Sequence, residues 1–497
     1  MNGINVKTLY RATYIYLALP LFIFFASWFN YAATGVFSLL LALAFYKTYT
    51  AIKDNMPEWR LKRRFMLFLF SVAALWCFLA GIGYFYYQSF DYHFRNAVFR
   101  DLINYPWPVF YERADTPLVY YMAFWLVPAT LGKLFAPLLQ NAYWNFYLAN
   151  IFLYVYAVVG VALIFAQLAA AVRAENFKKL AAAMLIFVFF SGLDVIGMAF
   201  FRVQEQPFAY HFEWWATFIQ YSSFTTGMFW VFNQFIPIAL ITLLLYNERN
   251  IRHFGFLIAL ALFFSPYPTA SIGIFAVAYA VQAFIRANDK VRFLSEEIFS
   301  VPNIISVFWL LPPIILYFIT NSEGMDKLWY VFDYTTPGRL AVFMLLEFLL
   351  PVAILLPRYR QHLFFATAAI LLCLIPFFRV DEQNNFCMRS SIPPLIMLAV
   401  YVIRFLFENS AAKTRLFSRC ALILLLLIGA ATPLAEFYRG LHYVIKAGRL
   451  DLVADDIYTL NQAYVEMPMF GWDANHQFTA REYRSDIFWQ YLAKKPQ

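Results

Sequence analysis

The sequence predicts an all-α polytopic membrane protein with about thirteen transmembrane helices. Three observations carry this: 63% of the 497 residues are hydrophobic against 13% charged, the mean hydropathy is +0.61, and apolar runs long enough to cross roughly 30 Å of hydrocarbon recur along the chain. An aromatic share of 21% fits the same reading, because Trp and Tyr crowd membrane interfaces.

The first series of runs lies near 13–30, 33–50, 65–87, 145–172, 179–200 and 226–246. The second lies near 252–266, 268–286, 301–320, 339–357, 361–379, 391–408 and 418–436, which makes thirteen in all. The pair meeting at Ser265-Pro266-Tyr267-Pro268 is short, so it is expected to dip as readily as to span. The first run lacks a small-residue cleavage pattern and another span follows at once, so it is expected to be retained. Cys77, Cys373, Cys387 and Cys420 fall mostly in apolar segments and form no disulfide framework or metal-spacing motif.

The run from Leu118 to Leu139 decides the topology, because Pro128, Gly132 and Lys133 interrupt it and a full crossing would invert everything downstream. If it does not cross, one side of the later segments holds Arg173, Lys178, Lys179, Arg249, Arg252, Arg286, Lys290, Arg292, Arg358, Arg360, Lys413 and Arg415, and the other only Arg202, Lys327, Arg379 and Arg389. The positive-inside rule therefore favours a broken, non-spanning segment and a cytoplasmic N-terminus. The cluster Lys47, Lys53, Arg60, Lys62, Arg63 and Arg64, between the second and third runs, agrees. The formal net charge of +9 then reports topology and attraction to anionic headgroups, and no nucleic-acid partner is expected. Three regions follow: an N-terminal hairpin with its basic loop (1–64), a transmembrane module (65–436) with an outer loop at 88–117, and a small outer C-terminal domain (437–497) that packs on the outer loops.

Polar chemistry concentrates on the outer side. From Asp91 to Asn104, Phe94, Val98 and Leu102, with Phe99 and Ile103, recur at helical spacing, and His93, Asn96, Arg100, Asp101 and Asn104 take the other face. This predicts an interfacial helix resting on lipid with its polar face presented outward, and Asp91 stands at its N-cap. Arg389 ends a compact polar loop at the mouth of a span, where its planar fork suits a phosphate, or else pairs with Asp381 or Glu382. Gln220, Asn233 and Gln234 stand among the rings and hydroxyls of 213–234, a mixture that fits a sugar as well as an aromatic belt. Glu347 sits near mid-span, where an ionisable group is costly and marks a functional-site hypothesis, and Asp194 near the outer end of its span could line the same cavity.

The run Asp91-Tyr-His-Phe-Arg-Asn-Ala-Val-Phe-Arg-Asp101-Leu-Ile, then Trp107-Pro-Val and Leu118-Val-Tyr-Tyr, resembles the first large outer loop of GT-C-type membrane glycosyltransferases. Gln220-Tyr221-Ser-Ser, Phe229-Trp-Val and Asn384-Asn385-Phe-Cys-Met-Arg389-Ser-Ser-Ile-Pro are similar to further stretches of bacterial membrane proteins of that kind. The resemblance implies a GT-C-like fold in the bacterial inner membrane, a polyprenyl-phosphate-linked sugar as donor, and a cell-envelope glycan, lipid or protein as acceptor. It makes Asp91 the general base and Arg389 the donor-phosphate ligand, with His93 and Asp101 as possible support and Gln220, Tyr221, Asn233, Gln234 and Asn385 facing substrate. The first loop lacks the adjacent acidic pair that some relatives use with a divalent metal, so no cofactor is predicted, and a metal is left open. The alternatives are a lipid-linked glycan polymerase or ligase, which usually relies on a large late outer loop, and a transporter or flippase, for which Glu347 speaks.

Overall fold

The computed structural model describes residues 3–202, 211–321, 328–380, 384–408, 413–461, 477–480 and 482–495. Lys327, Asp381 and Glu382 lie outside them. In chain order, α1 (Val6–Trp28), α2 (Tyr31–Ala51), α3 (Met66–Leu79), α4 (Tyr92–Asn104), α5 (Ala123–Leu139), α6 (Ala142–Ala171), α7 (Phe177–Val188), α8 (Asp194–Phe200), α9 (Phe224–Glu248), α10 (Phe254–Phe264) and α11 (Pro266–Arg286) come first. Helices at Val301–Ile319, Pro337–Tyr359, Leu363–Phe377, Asn385–Phe407 and Arg415–Ala447 follow.

Among the described residues nine helices are long and apolar enough to cross a membrane: α1, α2, α6, α9, α11 and those at Val301–Ile319, Pro337–Tyr359, Asn385–Phe407 and Arg415–Ala447. The chain is thus an all-α membrane protein. Helices occupy all thirteen predicted positions, yet α3, α7, α10 and Leu363–Phe377 are shorter than their apolar runs. The physical reason is clearest after α3. Gly81 and Gly83 adopt φ of 78° and 97°, a left-handed backbone that ends the helix although the side chains remain apolar.

Asparagines start several helices by capping their free N–H groups: Asn5 accepts from Thr8 N, Asn30 from Ala33 N, Asn141 from Trp144 N and Asn176 from Lys179 N. α9 is the central strut, 94% buried across its apolar window against 22% for α2, which accounts for its being apolar all round. It breaks at Val231 (φ −140°, ψ 37°), just ahead of Pro237, whose ring crowds the carbonyl of Asn233 and cannot donate to it.

The disputed run forms α5, whose 17 residues rise about 25 Å. It lies antiparallel to α6, with Phe124 5.1 Å from Tyr156 between ring centres, and Tyr156 stacks in turn on Tyr16, near the middle of α1. α5 therefore begins at mid-depth in the bundle and climbs towards one end only.

The loops segregate to two ends. At the basic end, Gly3–Asn5 pairs with Arg60–Lys62, Asn55 Nδ2 donates to Asn247 O at 2.7 Å, and Arg252 reaches Glu296 and Glu297. At the other end, Trp329–Tyr330 pairs with Phe378–Arg379, Asn384 Nδ2 donates to Phe218 O at 2.6 Å, and Asn321 Nδ2 reaches Val119 O at 2.7 Å. The described C-terminal residues join this second end and pack on it. Phe478 packs on Tyr120 and Phe94, and Lys494 N donates to Trp28 O at 2.8 Å.

α4 departs from its predicted role. It is not an interfacial helix with an outward polar face, because nearly all of it is buried, including Arg95, Asn96, Arg100 and Asp101. Residues 452–460 cover that face: Asn96 Nδ2 donates to Ala454 O at 2.8 Å, Arg100 pairs with Asp455 at 2.5 Å, and Leu460 N donates to Asp101 at 2.9 Å. The period of 3.6 separates two faces correctly, but it does not distinguish water from a distant stretch of chain as the polar face's neighbour.

Candidate functional site

Asp91 opens α4 without capping it, since its side chain makes no bond to the first-turn N–H groups. It pairs with Arg95 one turn on, Nη2 to Oδ2 at 2.8 Å, the i,i+4 spacing that brings side chains together on a helix. The pair is lopsided: the Asp91 side chain is 42% exposed and that of Arg95 is 5% exposed. Burial leaves Arg95 Nε and Nη1 with no hydrogen-bond acceptor among the described residues. An unsatisfied buried guanidinium is costly, so those two nitrogens mark a place where an anionic or carbonyl oxygen would be stabilised.

The break in α9 holds this pair in place. Ser89 Oγ donates to Phe229 O at 3.2 Å, Tyr92 stacks on Phe232 with 5.6 Å between ring centres, and the Arg95 guanidinium lies 6.0 Å from the same ring. Beyond Asp91 stands a buried group the sequence reading missed. Glu436 accepts from Arg439 Nη1 at 2.7 Å and from Trp230 Nε1 at 3.1 Å, and His211 sits between Trp214 and Trp230 with Nδ1 3.7 Å from Glu436. Burial lowers the His211 pKa, with Arg439 adding to the effect, while Glu436, Asp194 and Asp91 oppose it. His211 thus lies within the field of Asp91.

Past the break, Asn233 Nδ2 approaches Tyr121 O at 3.4 Å, and the Arg389 guanidinium lies 5.3 Å from the Tyr121 ring centre. Gln234 Oε1 accepts from Ser265 Oγ at 2.6 Å. Asn233 Oδ1 and Gln234 Nε2 are buried and without partners among the described residues. Close to the break in α9, contacts thus run from Arg95 to Phe232 and from Asn233 by way of Tyr121 to Arg389.

Other predicted residues go elsewhere. Gln220 Nε2 donates to Glu213 at 2.6 Å and to Ser222 at 2.9 Å, and the Tyr221 hydroxyl donates to Leu372 O at 2.6 Å deep in the core. Asn385 begins the Asn385–Phe407 helix, beside Asn384, which caps it through Cys387 N. Asp101 does not pair with Arg100. It accepts from Tyr111 OH at 3.0 Å and from Leu460 N, and burial pushes its pKa up to about 7. His93 stands 3.6 Å from Asp456, whose side chain is 84% exposed. Arg379 lies 3.7 Å over the Phe218 ring, which fixes the neighbouring strand pair.

A second polar group surrounds Asp194, which accepts from Trp215 Nε1 at 3.1 Å, Ser191 Oγ at 3.1 Å and Thr432 Oγ1 at 2.8 Å. Glu347, on the Pro337–Tyr359 helix, and Glu213 lie near it, and both Glu347 carboxyl oxygens are buried without a hydrogen-bond partner among the described residues. Burial, with Asp194 close by, pushes the Glu213 pKa up to about 8. Glu347 rests on the backbone of Gly192, where a Cβ would stand 2.0 Å from Oε2. Among the described residues no three His, Cys, Asp or Glu side chains are grouped to hold a metal ion.

No protein-family description, curated protein or solved structure matches this chain.

Proposed function

We propose that the chain is an integral membrane glycosyltransferase of the GT-C kind. It moves a sugar from a polyprenyl-phosphate donor to an acceptor hydroxyl on the extracytoplasmic side of a bacterial inner membrane. In this reading all thirteen apolar segments cross the bilayer, α5 dips in from outside, the basic end and N-terminus are cytoplasmic, and the C-terminus is outside. The observation that carries the reading is the half-open Asp91–Arg95 pair at the loop-rich end, and the contact of Arg389 with Tyr121, which Asn233 of α9 also meets, supports it.

The chemistry balances on these groups. The acceptor hydroxyl gives its proton to the Asp91 carboxylate as its oxygen attacks the anomeric carbon, and the bond from that carbon to the donor phosphate breaks. The electron pair leaves on the phosphate, where Arg389 stabilises the charge. Arg95 is a positioning residue that orients the Asp91 carboxylate through their ion pair. Transfer from a polyprenyl-phosphate sugar by membranes carrying Asp91→Asn tests the assignment, with loss expected and unchanged transfer ruling it out.

The Asp194, Glu213 and Glu347 group favours a second reading, a transporter or flippase in which buried carboxyls exchange protons. That reading requires Glu347→Gln to abolish function and Asp91→Asn to leave it intact.

A further inference from the structure

At the basic end, remote from the Asp91 site, the C-terminal ends of α9 and α11 and the turn before the Leu363–Phe377 helix enclose a cavity of about 520 Å³. Arg249, Arg286, Arg358, Arg360, His362 and Gln361 contribute to its wall, and among the described residues no carboxylate does. Glu408, the described acid that meets a basin arginine, is engaged by Arg358 at 3.2 Å, Tyr359 OH at 2.6 Å and Arg415 at 3.7 Å.

An excess of arginine on this side has a simple explanation in topology, but the pairing pattern argues for more. Elsewhere on the same end, Arg252 meets Glu296 and Glu297 at 3.2 and 2.7 Å, and Arg292 meets Glu296 at 2.8 Å. In the basin, among the described residues, neither Arg286 nor Arg360 meets a carboxylate. Arg249 is fixed in advance, with Nε donating to Tyr246 O at 2.8 Å and the guanidinium 5.5 Å from the Phe364 ring.

The approach to the basin is apolar. Ile274, Val277, Val281 and Ile285 are exposed by 48, 60, 51 and 70% along one face of α11, at helical spacing, and the track ends at Arg286. Ile370 and Leu374 are exposed on the Leu363–Phe377 helix. A soluble anion has no use for such a track, whereas acyl chains do.

We propose that this basin is a site for an anionic phospholipid of the leaflet at the basic end, its phosphate groups held by Arg249, Arg286 and Arg360 and its chains lying along α11. Planar guanidinia take phosphate oxygens in pairs, and three of them suit a two-phosphate headgroup such as that of cardiolipin.

The test uses the full chain, delipidated in neutral detergent, with cardiolipin or phosphatidylcholine added and bound lipid counted by native mass spectrometry. Cardiolipin is expected to be retained over phosphatidylcholine, and Arg286→Gln with Arg360→Gln to weaken it roughly 20-fold, at a few-fold for each cation removed. Arg63→Gln with Arg64→Gln, the same charge change outside the basin, is expected to leave binding unchanged. The Lys double variant at 286 and 360 is expected to recover part of it. Equal binding by the wild type and the 286/360 Gln variant would overturn the site. So would an equal loss in the 63/64 variant, no recovery with Lys, or complete displacement of the lipid by inorganic pyrophosphate, which would identify a soluble-anion site.

Discussion

Two polar clusters stand at the loop-rich end, and they differ in both charge balance and access. Asp91 faces a cation one turn away and is partly open, while Arg95 beneath it keeps two nitrogens without acceptors. Asp194, Glu213 and Glu347 are all acids, all buried, and enclosed by Trp215, Ser191, Thr432 and Gln220. The difference separates two uses of a buried charge. A paired, accessible carboxylate can meet a ligand and exchange a proton with it, whereas a closed group of acids is shut off from one and serves the fold.

Asp91→Asn is expected to have the largest effect, a fall in transfer of roughly 100- to 10,000-fold with unchanged expression and thermal stability. Retained transfer would put the two clusters on an equal footing. Arg389→Ala comes next, with donor turnover reduced roughly 100-fold while the fold persists; kinetics against donor concentration check it, and normal donor use removes this residue from the site.

On stability, Gly192→Ala is expected to cost no more than about 1 kcal/mol, because its Cβ would meet the end of the flexible Glu347 side chain, which can swing aside. Thermal unfolding in detergent measures this, and a larger loss would mean that the Glu347 carboxyl is held in its seat.

A pH series sharpens the role of α4. Asp101 is held protonated in the fold up to about 7, against 3.8 for the free group, so the native state binds more protons than the unfolded chain between those values. Its contribution is fully present at low pH and is lost as pH rises through about 7. Asp101→Asn is expected to flatten that part of the stability profile, and an unchanged slope would mean Asp101 is ionised in the fold. His93→Ala should do least, within about 0.5 kcal/mol, because its partner Asp456 is solvent-exposed.

The fold class was legible because apolar composition and run length are direct statements about a bilayer. The ends of helices were less so: α3 stops at two left-handed glycines inside an apolar run, a backbone event that hydropathy does not register. Around the site, Asp91 and Arg389 stood out by chemistry and by resemblance. Arg95 was readable as the i+4 partner of Asp91, and Glu436 with Arg439 as an i,i+3 pair at the end of the last apolar run. What covers α4 was not readable, because Asp455 and Leu460 meet Arg100 and Asp101 across more than three hundred residues of chain. Tyr221 shows the opposite error, a hydroxyl assigned to substrate that the core takes up through Leu372.

The central claim is that the Asp91 carboxylate takes a proton from a sugar acceptor outside the membrane. Profiling the cell-envelope glycans of a strain whose only copy carries Asp91→Asn tests it most directly. The account predicts the same missing sugar residue as in a deletion strain, with the variant present in the membrane at wild-type level. A wild-type glycan profile in that strain would contradict it.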